Sequence, residues 1–238
     1  MTELTVVLPA YNEGEGICET ILEIDFYLPD ELNTTIFVSE DGSRDNTREE
    51  VLRAASLVNK SNVVLSNHSS RLGYSKAVQR GIQECRTELI CFMDADGQCD
   101  PKDIKKLLNQ ITNKTGIAIG FRNPRIDGTH RIAYSKLFGM AYRFFGGPKR
   151  IDPSSPFILG KIEQISFLGS VECHLDFGFW WEFQWRIQAQ GLNFIEIPVN
   201  HRVRTTGTTQ VYTLKRLPNI IKSHLKGLRN LRHELKKK

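Results

Sequence analysis

The 238-residue chain is poor in three things. It has no run of 18 consecutive apolar residues, so the sequence encodes no transmembrane helix. Its opening Met-Thr-Glu-Leu-Thr lacks the basic and apolar regions of a secretory signal. Its five cysteines (18, 85, 91, 99 and 173) are odd in number and include no Cys-x-x-Cys pair. That excludes a disulfide framework and a zinc site, and predicts reduced thiols in a cytoplasmic setting. Internal repeats and low-complexity linkers are missing too, so one large domain is the simplest division.

What is present is ordinary globular material with uneven charge. Hydrophobic residues make up 40% and charged residues 25%, enough for a substantial core. The segment from 211 to 238 holds nine Lys/Arg and one acid, a charge of +8, so the first 210 residues carry −3 of the overall +5. The predicted division is therefore a main domain over 1–212 and a basic amphipathic segment over 213–238. Only the second needs an anionic partner.

Leu4–Pro9, Thr34–Ser39, Val63–Ser66, Leu89–Met93 and Gly116–Phe121 read as strands. Helical patterns lie between them: 17 to 28, a helix capped by Ser43 or Asp45 and running to about 59, 73–85, and one opening at Asp100-Pro101. Strands alternating with helices predict a doubly wound, mostly parallel Rossmann-like α/β sheet with helices on both faces. The second half is less regular. It offers an apolar helix over 132–145, a turn at Asp152-Pro-Ser-Ser-Pro156, an aromatic stretch over 177–190 and a strand over 193–199.

The chemistry concentrates at Leu89–Pro101. Five apolar residues run into Asp94-Ala95-Asp96, followed by Gly97 and Gln98. Side chains at i and i+2 of an extended segment point the same way, so the two carboxylates can share a hard divalent cation. An Asx-type turn with solvated acids is the plainer alternative. Polar groups also follow two other strands, Tyr11/Asn12/Glu13 and Glu40/Asp41. In a parallel sheet those ends share one edge, which points to a site for a nucleotide plus metal. A dinucleotide-binding loop does not fit, because Gly14-Glu-Gly16 is followed by Glu19 where a third glycine belongs.

Together these stretches resemble the family 2 glycosyltransferases of GT-A fold, and most closely the polyprenyl-phosphate (dolichyl-phosphate) mannosyl- or glucosyltransferase branch. The matching stretches are Thr5–Glu13, Val38–Thr47, Gly73–Gly81, Met93–Gln98, Gly120–Arg122 and Asp152–Ser155, within about 4 to 212. The resemblance implies that Pro9, Tyr11 and Glu13 line the nucleotide pocket and that Asp41 reads the base. It implies that Asp94 and Asp96, with Gln98 beside them, hold Mn2+ or Mg2+. By the same resemblance Arg122 and Arg131 grip phosphate, and Arg204-Thr-Thr-Gly207 belongs to a loop that folds over the donor. The sequence departs from the family pattern at Glu40, where an aspartate is usual, and at Gly207-Thr-Thr-Gln210, where the branch commonly ends in lysine. Family members often carry transmembrane helices after the catalytic domain; here the basic segment stands in their place.

The sequence is compatible with two acceptors. A polyprenyl phosphate is already ionised and calls for cationic guides, which Arg122, Arg131 and Arg204 supply. A saccharide hydroxyl calls for a carboxylate base, and Glu182 in Trp180-Trp-Glu-Phe183 is the candidate, unless it simply pairs with Arg186 one helical turn on. A non-catalytic nucleotide-sugar-binding or membrane-recruited subunit is the alternative from another class. The basic segment suits the anionic cytoplasmic face of a membrane, the chain's own body, a membrane-protein partner or a second copy; nucleic acid does not fit an acidic body.

Overall fold

A computed structural model describes residues 2–126, 128–175, 178–203 and 217–237, with backbone alone for 129–131 and 217–219. The first strand, β1 (Glu3–Ala10), is buried from Leu4 onward. Such a run needs cover on both faces. It pairs in parallel with β2 (Asn33–Glu40) on one side and β4 (Leu89–Phe92) on the other. β3 (Ser61–Asn67) extends the sheet beyond β2, again in parallel. The full order is β3-β2-β1-β4-β6-β5-β7, with β5 (Ile117–Arg122), β6 (Ile158–Lys161) and β7 (Phe194–Val199). Six strands run one way, and β6 runs against both of its neighbours. The doubly wound, mostly parallel sheet expected from the sequence is thus what the chain forms.

Period-2 alternation divides the core. Leu4, Val6 and Leu8 face one side, with Ile17, Ile21 and Ile24 of α1 (Ile17–Tyr27) and Val51 of α2 (Thr47–Ala55). Val7, Ile90 and Phe92 face the other, with Val78 and Ile82 of α3 (Tyr74–Glu84) and Phe183 of α7 (Phe179–Ala189). Helices therefore cover both faces.

Two local expectations fail for identifiable reasons. β6 is missed because four residues, Ile-Leu-Gly-Lys, carry too little pattern to separate a strand from the turn before it. The helix after β2 opens after Asn46 and ends at Ala55, short of the expected 59. Ser43 Oγ does not cap it but accepts the Asn12 N–H, whereas Asp45 serves both sides: Oδ1 accepts the Thr47 N–H at the helix start at 3.1 Å, and Oδ2 accepts the Gly14 N–H.

The basic segment is not a detached tail. α8 (Leu217–Leu235) lays Leu228 and Leu231, both fully buried, against Phe138 and Tyr142 of α5 (Thr129–Phe144), Trp181 and Trp185 of α7, and Leu175. Its Glu234 accepts two hydrogen bonds from Arg186, at 2.7 and 2.8 Å, and one contact from His174 Nε2 at 2.9 Å. The docking forecasts a stability difference. Leu228→Ala should lower the unfolding free energy by about 2–5 kcal/mol in urea titration, while exposed Lys226→Ala stays within about 0.5 kcal/mol.

Candidate active site

β1, β2, β4 and β5 are codirectional, so Ala10, Glu40, Phe92 and Arg122 end along one edge of the sheet. The loops leaving the first two strands are tied together there. Asn12 N–H donates to Ser43 Oγ at 3.0 Å, and Arg44 N–H donates to Asn12 Oδ1 at 2.9 Å. Glu13 N–H reaches Thr47 Oγ1 at 2.9 Å, and Gly14 N–H reaches Asp45 Oδ2 at 3.0 Å. Glu40 is fully buried and pairs with Arg48 at 2.7 Å while accepting the Ser43 N–H. Glutamate here supplies the extra reach to an arginine on α2.

Asp41 is buried and holds the next loop. Its two oxygens accept from Leu72 N–H at 2.6 Å and Gly73 N–H at 2.8 Å. Gly42 makes this approach possible: its φ of +74° is left-handed, and a Cβ would fall 2.7 Å from the Ser70 carbonyl carbon. Arg71 lies with its guanidinium 3.8 Å from the centroid of the Tyr11 ring and 3.8 Å from Asp41. Tyr11, Asp41 and Arg71 thereby form one wall, with buried Pro9 behind Tyr11 in β1.

Asp94 and Asp96 follow β4, as the sequence pattern requires. Asp96 Oδ1 accepts the Gln98 N–H at 3.1 Å, and the Gln98 side-chain amide donates to the Arg202 carbonyl at 3.2 Å. Asp94 Oδ1 accepts the Tyr74 hydroxyl at 2.6 Å, and that hydroxyl accepts Trp180 Nε1–H at 2.9 Å. Loss of hydration raises the Asp94 carboxyl to about 7, and the Asp96 charge pushes the same way; Tyr74 and Arg122 oppose the shift. Two acids this close, one of them held above its ordinary range, fit a divalent cation. Oxygen donors of this type suit a hard ion. Among the described residues no group of three or more His, Cys, Asp or Glu gathers to enclose a metal.

Arg122, at the end of β5, is gripped by Asp152. Nε donates to Oδ2 at 2.6 Å and an Nη donates to Oδ1 at 2.9 Å, with Ser154 Oγ beside them. The guanidinium holds the buried Asp152 carboxyl down at about 2. Arg125 adds a second cation 3.8 Å from the same carboxylate. Arg131 has its backbone in the first turn of α5, and Arg204 lies outside the described residues, as does the side chain of Arg131. The chain entering the Arg204 stretch is anchored: Arg202 bonds Glu23 through both carboxylate oxygens and Asp100 at 2.6 Å.

Pro9, Tyr11, Glu13, Asp41, Asp94, Asp96, Gln98 and Arg122 are thus brought to one edge. Glu182 is employed otherwise. Fully buried, it accepts from the His174 and Leu175 N–H groups at 2.7 and 2.9 Å and from Arg186 Nε at 2.9 Å. Pairing with Arg186 was the plainer of its two expected roles, and that pair is what forms. Tyr74, Arg71 and Asp152 were not singled out individually from sequence. Their roles depend on contacts 20 to 30 residues away, which no local pattern signals.

The family model for "Glycosyl transferase family 2" matches residues 5–167. The chain belongs to glycosyl transferase family 2. Its fold is accordingly GT-A. A dolichol-phosphate mannosyltransferase of Pyrococcus furiosus is 38% identical over 120 residues, covering 50% of this chain and 33% of that protein. A dolichyl-phosphate beta-glucosyltransferase of Trichomonas vaginalis is 33% identical over 150 residues, covering 58% and 45%. The chain spans a third to just under half the length of such curated relatives. An uncharacterised glycosyltransferase of Mycobacterium bovis is 26% identical over 211 residues, covering 87% and 89%. Glucosyl-3-phosphoglycerate synthase from Mycobacterium tuberculosis, solved with Mn2+, UDP and phosphoglyceric acid, shares the fold. Its TM-score is 0.69 at 17% identity, over 97% of this chain and 78% of that one.

The raised Asp94 sets a pH dependence for this family 2 site. An acid held at about 7 keeps its proton below that pH, and a cation must displace it to bind the carboxylate. The affinity of this pair for a divalent cation should therefore fall as pH drops below 7, by up to about tenfold per unit. Binding near neutrality should release a proton, visible in calorimetry as a heat that changes with the buffer's ionisation enthalpy.

Proposed function

We propose that this chain is an inverting transferase that moves a hexose from a nucleotide-sugar, of the GDP-mannose or UDP-glucose type, to a polyprenyl phosphate. The observation that carries the reading is the Asp94–Asp96 pair at the end of β4, acted on by the Arg122 charge, in a family 2 chain. Relatives named for dolichyl- and undecaprenyl-phosphate transfer support the acceptor.

In this proposal Pro9, Tyr11, Glu13 and Asp41 line the base pocket, and Asp41 accepts a ring N–H of the base. Asp94 and Asp96, with Gln98 beside them, would hold Mn2+ or Mg2+. Bound there, the ion supplies Lewis-acid stabilisation of negative charge on the leaving diphosphate. Arg122 enters with its plane already fixed by Asp152, so less ordering is lost when it meets phosphate. Arg131 and Arg204 complete the cationic set. A phosphate nucleophile is ionised at neutral pH and needs no general base, which agrees with Glu182 being committed to Arg186 and two backbone N–H groups. The saccharide-acceptor alternative would draw its base from a carboxylate already engaged in these three hydrogen bonds.

A lipid acceptor needs a membrane-facing surface, and α5 and α8 supply residues for one. Leu137, Met140 and Phe144 are exposed on α5, and Phe144 is 80% accessible. Ile221 and Leu225 are exposed on α8, and Lys136, Arg143, Lys222, Lys226 and Arg229 stand among these apolar groups. α5 carries no acid, and the single acid of α8, Glu234, is bound to Arg186. Apolar residues with cations of one sign suit an anionic leaflet, the cytoplasmic face of a membrane in this reading. Among the described residues no helix is long and apolar enough to cross a membrane.

The direct test incubates the chain with Mn2+, radiolabelled GDP-mannose or UDP-glucose, and dolichyl or undecaprenyl phosphate. Label should enter the organic phase, and Asp96→Ala should cut that transfer by about 100-fold or more. Label passing only to a soluble sugar would sink the lipid acceptor. Tight donor binding with no turnover would leave a binding module.

A further inference from the structure

Tyr74 has no part in the proposed reaction, yet it is built into the cation pair. It is the first residue of α3, directly after Gly73, whose φ of +104° a side chain rarely tolerates. The preceding N–H groups of Leu72 and Gly73 are fixed on Asp41. The position of the tyrosine backbone is therefore set by the candidate base-reading acid.

The direction of its hydroxyl proton follows from its neighbours. An indole N–H only donates. With Trp180 Nε1–H directed at the phenol oxygen at 2.9 Å, the single hydroxyl proton is left for Asp94 Oδ1, 2.6 Å away. Trp180 is itself 6% exposed and wedged among Phe92, Phe179 and Phe183, with ring centroids 5.0 to 5.4 Å apart. A rigid chain of contacts thus runs from α7 through the start of α3 to the end of β4. It occupies one oxygen of Asp94 from the protein side and fixes the plane of the carboxylate.

We propose that Tyr74 is a positioning residue of the cation site: its hydroxyl, aligned by the Trp180 indole, holds the Asp94 carboxylate in the orientation that receives a divalent cation. The proposal rests on the cation reading given under the proposed function, and it extends that reading to residues outside the Asp-x-Asp stretch. Groups that orient a metal-binding carboxylate commonly change affinity by about 10–100-fold when removed.

The test titrates the full chain with Mn2+ alone, read by the loss of the free-ion electron paramagnetic resonance signal. Tyr74→Phe keeps the ring and removes the hydroxyl, and should weaken Mn2+ binding about tenfold. Binding of UDP and GDP in EDTA should be unchanged, and turnover should recover at saturating Mn2+. Trp180→Phe should weaken Mn2+ in the same direction by less, because the tyrosine proton then loses its alignment. A role confined to packing would shift the melting temperature and leave the Mn2+ constant alone. If the wild type binds Mn2+ and both variants bind it equally well, the Tyr74 proposal is overturned while the cation reading stands. If the wild type binds no Mn2+, the cation reading fails and takes this proposal with it. Should Tyr74→Phe not fold, an unchanged Mn2+ constant in Trp180→Phe overturns the proposal by itself.

Discussion

The organising constraint is the burial of β1 on both faces between two parallel partners. A strand covered on both faces has no solvent-facing side along its length, so charged groups appear only at its ends. Parallel pairing with β2 and β4 then places all three carboxyl ends on the same edge. Glu13, Asp41 and Asp94 are far apart in sequence, and this pairing brings them to one edge of the sheet. The gathering of acids is thus a consequence of backbone pairing before any side chain contributes.

That edge gathers negative charge, and the structure offsets it with hydrogen-bond donors as much as with cations. Asp41 is satisfied by two backbone N–H groups, Asp94 by a phenol and Asp152 by a guanidinium. The result is graded. Asp152 is held strongly acidic, whereas Asp94 is held near neutrality. The first belongs to a permanent ion pair and the second to a group prepared to exchange its proton for something else. A different ion cluster, Glu182–Arg186–Glu234, draws on the same chemistry to fasten α8 to α7.

The strands β1, β2, β4 and β5 were legible from sequence because apolar runs bounded by Gly, Pro or Asp leave few alternatives, and the Asp94–Asp96 pair was legible because it ends one of them. The neighbours of that pair were not. Tyr74 sits at a helix start where an aromatic residue reads as ordinary packing, and Trp180 reads as core; only the fold brings the indole N–H to the phenol. Glu182 illustrates the reverse difficulty. An acid at a position where the resembled family tends to keep one reads as a catalytic base, and i,i+4 spacing to Arg186 gives equal support to a salt bridge. The 213–238 segment reads as a tail because its charge is conspicuous, while its buried stripe of Ile220, His224, Leu228 and Leu231 is a period that suits a membrane, a partner or the chain's own body alike.

The reversed strand β6 carries one more implication. Standing between β4 and β5, it keeps their carboxyl ends two strand spacings apart, roughly 9–10 Å. It also presents its own amino end at that edge, so the segment entering it delivers Asp152 to Arg122. β6 therefore works as a spacer. The aspartate pair and the arginine stand on opposite banks of a gap that two directly adjacent parallel strands would have closed.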